Sequence, residues 1–304
     1  MSAYSVYRLR FSTGAHFGNG MLNMSAPVFS ADVLFSALYI EALKAGCEES
    51  FFRAVNDGGL RFSDALPYRG DVYYLPKPML RIQGMDSGDS AEKKFYKNLK
   101  YIPAEKFEAY LEGKMDRVDT LQGAFSITVR TMAAVRKEED TLPYQVGVCS
   151  YEDGAGLYLV VKYDTEEELR LFEELLDMVS SVGIGGKRSA GLGKFSMTKV
   201  TRGTDALIRK MGKDGRTYML LSSALPSEEE MEKALEGASY MLVPRSGFVF
   251  SETYAHEQRK RQTLFVMEQG SCFSYPFHGD IYDVSGGSGK HPVFLYAKPL
   301  FMAF

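Results

Sequence analysis

The chain has 304 residues, 45% of them hydrophobic and 25% charged, which fits a globular protein with room for two domains of ordinary size. No apolar run is long enough for a membrane span and no basic-then-apolar leader opens the chain, so a cytoplasmic location is expected. A net charge of −3 argues against loose nucleic-acid binding by overall field but leaves a local basic groove open, while Cys47, Cys149 and Cys272 are too scattered for a zinc site or a disulfide framework.

Residues 4–11 alternate Val6, Arg8 and Arg10 against Tyr7, Leu9 and Phe11, the period of a strand. Residues 12–20 read as a loop. Ser30 caps a predicted helix with Asp32 in its first turn, where the macrodipole favours a carboxylate. Its apolar stripe is Leu34, Phe35, Leu38, Ala42 and Leu43, and Gly46 ends it. Residues 60–67 read as a short strand entering a turn, with Asp64 as a turn former. In Tyr73-Tyr74-Leu75-Pro76-Lys77-Pro78 two prolines hold an extended backbone around Lys77.

Residues 84–118 are polar, charged and weakly periodic; a short helix is predicted over 104–111, with mobility expected before it. Phe125, Ile127 and Val129 alternate with Ser126, Thr128 and Arg130, and residues 144–148 run back across a charged turn, so a long inserted hairpin is predicted. Residues 156–163 form a central strand. Thr165 and Glu168 make a capping box for a helix whose stripe is Leu169, Phe172, Leu175, Leu176 and Val179, and residues 194–201 return as a strand. The order is that of a βαββαβ, ferredoxin-like unit with insertions. After a polar link over 201–215, the second half repeats the theme. It has a strand over 218–223, a second capping box at Ser227 and Glu230, a stripe of Met231, Ala234, Leu235 and Ala238, and strands near 240–243, 248–250, 264–268, 279–284 and 294–300. The weak similarity of the halves suggests duplication.

Between the best helix and the strand after it lies Val182-Gly183-Ile184-Gly185-Gly186-Lys187-Arg188-Ser189-Ala190-Gly191-Leu192-Gly193-Lys194-Phe195. A helix C-cap explains Gly183 alone. Five glycines with three cations point instead to an anion held by backbone N–H groups and by Lys187, Arg188 or Lys194. The loop is no Walker motif, because Arg188 stands where Ser or Thr is needed. It also leaves a helix rather than entering one, so no dipole assists. His16 could stack on a base, contact a phosphate or act as a general base; a loop histidine with one local hydrogen bond is the plainer reading. Residues 254–262, with His256, Arg259, Lys260 and Arg261, are the densest basic run, either a solvated loop or part of an RNA groove. The four histidines show no metal-ligand spacing, so neither a metal nor a cofactor is expected, and no catalytic signature is present.

Taken in order, the pieces resemble one family over nearly the whole chain. They are His16-Phe17-Gly18, Asp32-Val33-Leu34-Phe35-Ser36-Ala37-Leu38, Ser63-Asp64-Ala65-Leu66-Pro67, Leu75-Pro76-Lys77-Pro78, Gly156-Leu157-Tyr158, the glycine loop, and His291-Pro292-Val293-Phe294-Leu295-Tyr296. The family is the fourth Csm subunit of type III-A CRISPR interference complexes, RAMP-superfamily proteins that cap the crRNA 5′ end. The resemblance implies an α+β chain of two ferredoxin-like (RRM-like) domains. Residues 1–203 would carry a protruding β-hairpin thumb (about 84–150) and the glycine loop (183–194), and residues 204–304 would form the second domain.

It also implies a non-catalytic RNA-binding subunit of an antiviral ribonucleoprotein that holds the repeat-derived 5′ tag of crRNA. Such a subunit meets the large polymerase-like signalling subunit and a backbone RAMP subunit. Carried onto this sequence, the RNA-binding residues are His16, Phe17, Gly18, Lys77, Gly183, Gly185, Gly186, Lys187, Arg188, Ser189, Gly191, Gly193 and Lys194, with Arg130 on the thumb. His256, Arg259, Lys260 and Arg261 join them on the strength of the basic run. Ala297 stands where the family's Tyr-Gly-Lys pattern has glycine. Two rival readings are a metal-independent RAMP endoribonuclease that processes precursor crRNA, with His16 as base and Lys77 or Arg188 stabilising charge, and a purely protein-binding assembly subunit.

Overall fold

The alternating run near the N-terminus becomes β1 (Ala3–Phe11), and Gly20, at φ +87, turns the expected loop after it into a hairpin of β2 (Phe17–Asn19) and β3 (Met21–Ala26). The computed structural model describes residues 2–57, 59–81, 90–115, 121–136, 139–251, 254, 257, 259–287 and 289–304. Helix α1 (Ala31–Ala45) ends at Gly46, whose left-handed φ of +69 lets its N–H reach back to the last turn. Leu43 is 51% exposed and falls off the stripe; Leu34, Phe35, Leu38 and Ala42 carry the burial. Helix α2 (Glu48–Asn56), which the pattern did not mark, follows at once.

β4 (Arg61–Phe62), β5 (Leu66–Arg69) and β6 (Val72–Pro76) come next, then α3 (Ser90–Asn98), β7 (Tyr101–Pro103) and α4 (Phe107–Leu111). Residues 90–103, where mobility was expected, are therefore built into the fold, and the short helix predicted over 104–111 is present as a 3-10 turn (Ala104–Lys106) running into α4. β7 pairs with β6 at the sheet edge, and Tyr96, Phe107 and Tyr110 are buried in the core. The predicted long hairpin is present as β8 (Phe125–Arg136) and β9 (Glu139–Tyr151). β10 (Ala155–Tyr163), α5 (Glu166–Val182) and β11 (Phe195–Val200) complete the first half. The capping box holds as read: the Glu168 N–H donates to Thr165 Oγ1, and the Glu168 carboxylate accepts the Thr165 N–H, both at 3.2 Å.

The principal sheet is antiparallel in every described pairing. It runs β11-β1-β10-β5-β6-β7, with β4 also on β10. On one face α1 and α5 pack Leu34, Phe35, Phe172, Leu175 and Leu176 onto Tyr7, Leu9, Leu157, Leu159 and Val161. On the other face Val6, Tyr158 and Val160 meet Tyr96 and Tyr110, together with Met219, Leu221, Leu300 and Met302 from beyond residue 203. Each such side chain contributes about 1.5–3 kcal/mol by leaving water, so this shared cluster binds the two halves firmly.

The second half contains α6 (Asp205–Ile208), β12 (Tyr218–Leu220), α7 (Met231–Leu235), β13 (Leu242–Arg245), β14 (Leu264–Met267), β15 (Cys272–Phe273), β16 (Ile281–Asp283), β17 (Phe294–Tyr296) and β18 (Phe301–Ala303). β15-β12-β18 form a small sheet, and β13–β14 and β16–β17 are hairpins. Of the strand expected over 294–300 only β17 is present; β18 begins at Phe301, beyond Pro299, which has no N–H to give a ladder. Ser227 and Glu230 do not form the predicted capping box. The Glu230 carboxylate accepts the Ser227 N–H but also those of His278 and Gly279, and it pins that turn beneath α7. Ala297 is buried with a negative φ, so the turn there needs no glycine. No helix among the described residues is long and apolar enough to cross a membrane.

Candidate nucleic-acid interface

The glycine loop lies against the His16 segment through one antiparallel bridge, His16 to Gly186. The Gly186 N–H donates to the His16 carbonyl at 2.9 Å, the Gly193 N–H to the Gly14 carbonyl at 2.9 Å, and the Ile184 N–H closes the loop on Gly193 at 3.0 Å. Gly183, Gly185 and Gly193 are required by close approach, Gly193 to the backbone of Ile184. A Cβ on Gly185 (φ +92) would lie 2.6 Å from the His16 carbonyl, and one on Gly183 (φ +95) 2.7 Å from the Leu192 carbonyl. At its tip the loop makes a 3-10 turn over Arg188–Ala190, with Ser189 and Ala190 exposed. The backbone N–H groups of Gly185, Lys187, Arg188 and Ser189 meet no acceptor among the described residues. Lys187 sits at φ 60, ψ 31, the one non-glycine at positive φ among the described residues. That strain costs about 1 kcal/mol or more and sets its amine 4.4 Å from the centre of the Tyr144 ring.

Tyr144 belongs to β9. In the β8–β9 register it lies opposite Met132, while Val146 and Val148 lie opposite Arg130 and Thr128, so all six share one face. Val146 and Val148 press that face onto Leu192 of the glycine loop. Arg130 is exposed on the same face. His16 is held beneath the join. It is 6% exposed, and its Nδ1–H donates to the Gly147 carbonyl at 2.7 Å, which fixes the tautomer because a carbonyl only accepts. Phe17 is a core residue, with its ring 5.0 Å from that of Phe29. Gly18, Ser189 and Lys194 are exposed around the same loop.

The basic run of the second half arrives at this loop by a route the sequence did not show. Beyond β13–β14 the hairpin continues as an arm: Phe248 bridges Lys260, the Val249 N–H donates to the Arg259 carbonyl, and the Arg261 N–H donates to the Gly247 carbonyl. Phe250, 74% exposed, carries the Arg188 guanidinium 4.7 Å above its ring, and Phe248, 55% exposed, carries Lys260 at 5.6 Å. Arg259 and Lys260 are exposed. His256 lies outside the described residues.

Two predicted site residues sit elsewhere. Lys77 is across the sheet from the loop, and its Nζ donates to the Tyr96 carbonyl at 2.6 Å, which caps α3. Arg261 turns inward. Its guanidinium lies 3.2 Å from the buried Asp32 carboxylate, and Arg245 lies 3.5 Å from it on the other side. Arg245 also donates to Ser223 Oγ at 2.8 Å, and the Ser223 hydroxyl and N–H both donate to Asp64 at 2.9 Å. The Ala31 N–H completes the set on Asp64 at 2.7 Å. Asp32 and Asp64 are thus neither a plain dipole partner nor a turn former. They form a buried network that ties the start of α1 to the base of the arm. Burial pushes the Asp64 carboxyl up to about 6, against the pull of Arg245 and the three donors. The lone hint was an aspartate set among apolar residues in Ser63-Asp64-Ala65-Leu66.

Taken together, four open amides, three loop cations and exposed aromatic rings can grip phosphates and stack bases. Comparison with known proteins agrees with the sequence resemblance. Residues 46–196 match the RAMP superfamily, and residues 213–304 match the CRISPR Csm4 C-terminal domain. The chain is 38% identical over 292 residues to the CRISPR system Cms protein Csm4 of Mycobacterium tuberculosis, covering 95% of this chain and 94% of that one. It is 31% identical over 309 residues to the corresponding Streptococcus thermophilus protein, covering 98% of each. In fold it is similar to a chain of a Csm3–Csm4 subcomplex of a type III-A CRISPR-Cas interference complex, with a TM-score of 0.64 at 15% identity over 99% of both chains. It is also similar to a chain of a Csm1–Csm4 cassette bound to cA4, with a TM-score of 0.60 at 16% identity over 100% of this chain and 98% of that one. The chain belongs to the Csm4 family of RAMP-superfamily proteins.

Proposed function

We propose that this chain is the non-catalytic RNA-binding subunit of a cytoplasmic, antiviral CRISPR Csm effector complex, and that it caps the repeat-derived 5′ tag of crRNA. One observation carries the reading: the glycine loop holds four amides without an acceptor among the described residues beside Lys187 and Arg188, the hairpin face packed on its Leu192 carries Arg130, and Arg188 joins it to the arm with the exposed Arg259 and Lys260. A focused basic cradle of this kind can hold an RNA backbone on a chain of net charge −3. The order β11-β1-β10-β4/β5, with α1 and α5 on one face, supports a ferredoxin-like first domain, with β8–β9 as its thumb. The order β15-β12-β18, with Ser239 bridged to Cys272, supports a second such unit after residue 203, in which the β16–β17 hairpin takes the place of the second helix. Relatives in complexes with Csm3 and Csm1 support a backbone RAMP subunit and the large subunit as neighbours. His16, buried with its Nδ1–H committed to Gly147, supports a structural role over that of a general base.

The test is salt elution of crRNA from purified complex carrying Lys187→Ala, Arg188→Ala and Lys194→Ala together. Each lost phosphate contact on a single strand removes about 0.7 from the slope of log affinity against log salt, so the triple variant should lose about 2. An unchanged slope and unchanged retention count against the cradle. Cleavage of repeat RNA by the purified chain, dependent on His16, would favour the endoribonuclease instead.

A further inference from the structure

Two large apolar rings stand in solvent on the arm at positions 248 and 250. Holding the RNA backbone on the loop amides and cations does not by itself give these two rings a place along the strand. Phe248 and Phe250 are two residues apart on an extended segment, so their side chains share a face about 7 Å apart. That is twice the spacing of stacked bases along a strand, about 3.4 Å. Each ring therefore has room for one base of an unstacked strand. Both remain more than half exposed, and each has a cation over one face of its ring, Arg188 at Phe250 and Lys260 at Phe248, so a base would stack on the other face. The arm is rigidly based, because Arg245 and Arg261 fix its root to Asp32. Its Phe250 end adjoins the glycine loop through Arg188, so a strand leaving the loop amides meets Phe250 first and Phe248 next.

We propose that Phe248 and Phe250 form a two-step stacking ledge that receives two successive, splayed nucleotides of the RNA held by the glycine loop, with Arg188 and Lys260 neutralising the phosphates between them. The ledge rests on the RNA-binding function proposed above and adds to it a base-contacting surface on the second half of the chain. The ring π-face is what the ledge supplies, so it tolerates any base. The flanking cations favour a polyanion over an apolar protein partner.

The test uses the assembled complex with crRNAs that carry a single 5-iodouridine at each tag position in turn, with photo-crosslinks mapped by mass spectrometry. Two adjacent positions are expected to crosslink to Phe250 and Phe248 in that order. Phe248→Leu and Phe250→Leu keep the apolar bulk of exposed side chains and leave the fold intact. They are expected to abolish these crosslinks and to speed release of the tag roughly 5- to 150-fold per ring, while Phe248→Tyr and Phe250→Tyr restore both. Crosslinks to residues 183–194 with none to either phenylalanine would overturn the ledge and leave the cradle standing. No tag crosslink to this chain at all would overturn the cradle and the ledge together. Capture of a protein subunit, and not RNA, by p-benzoylphenylalanine at position 248 or 250 would overturn the ledge in favour of a protein-docking surface.

Discussion

Gly185→Ala separates a glycine needed for close packing from one needed only for its backbone angle. An L-residue at φ +92 costs about 1–2 kcal/mol in backbone strain. The new Cβ would also lie 2.6 Å from the His16 carbonyl and 3.0 Å from the Phe17 ring. Neither neighbour can yield: the carbonyl accepts the Gly186 N–H, and Phe17 is wedged against Phe29 and Phe11. Overpacking of this kind adds about 1–3 kcal/mol, for a total of about 2–5 kcal/mol. Gly191 has a similar φ of +84 with nothing within 4 Å, so Gly191→Ala carries only the backbone cost of about 1–2 kcal/mol. A chain of 304 residues loses about 2 °C in Tm per kcal/mol. Thermal melts of the purified variants should therefore show a drop of about 4–10 °C for Gly185→Ala and about 2–4 °C for Gly191→Ala. Equal drops, or a larger one at Gly191, would refute the packing of the loop on His16.

Asp64 should leave a signature in pH. Its carboxyl rises from 3.8 to about 6 on burial, so between those values the folded chain holds a proton that the unfolded chain has released. The stability it gives is greatest below about pH 4 and falls by about 3 kcal/mol as pH climbs through 6. Asp64→Asn should flatten that limb of a denaturation-against-pH curve, and an unaltered limb would contradict the assignment. Asp32→Ala strands the guanidinium groups of Arg245 and Arg261 and should cost about 3–5 kcal/mol in urea unfolding; a loss below about 1 kcal/mol would mean that water serves them as well. Lys77→Met should lower stability by about 1.5–3 kcal/mol, through the lost bond to the Tyr96 carbonyl, yet leave crRNA retention unchanged. Retention lost as fully as in Lys187→Ala would extend the RNA site to the far sheet edge.

The elements legible in the sequence are those whose burial is decided locally. β10 is apolar because it is covered on both faces, and α5 combines a complete capping box with one clean stripe. The glycine loop was legible as a special backbone segment because four of its glycines sit at positive φ, which only glycine meets cheaply. The β2–β3 hairpin was not legible: Met21, Leu22 and Met24 are exposed, so no alternation marks it. Residues 90–115 are polar along most of their length and are fixed by a few tertiary anchors, Tyr96, Phe107 and Tyr110. The Asp32, Asp64, Arg245 and Arg261 network and the joint between Arg188 and Phe250 join distant parts of the chain, and no local pattern encodes such pairings. Lys77 shows the opposite hazard, since a motif shared with a family placed it at the site while its amine serves a helix end.

That residues 183–194 cradle the crRNA tag can be read from a crosslinking map of the assembled complex, with 4-thiouridine placed in the tag and peptides identified by mass spectrometry. The tag should attach to residues 183–194 and to the facing hairpin strands around Arg130 and Tyr144. Attachment confined to other subunits, or to the opposite sheet edge around Lys77, would mean that the glycine loop faces protein and that the cradle does not exist.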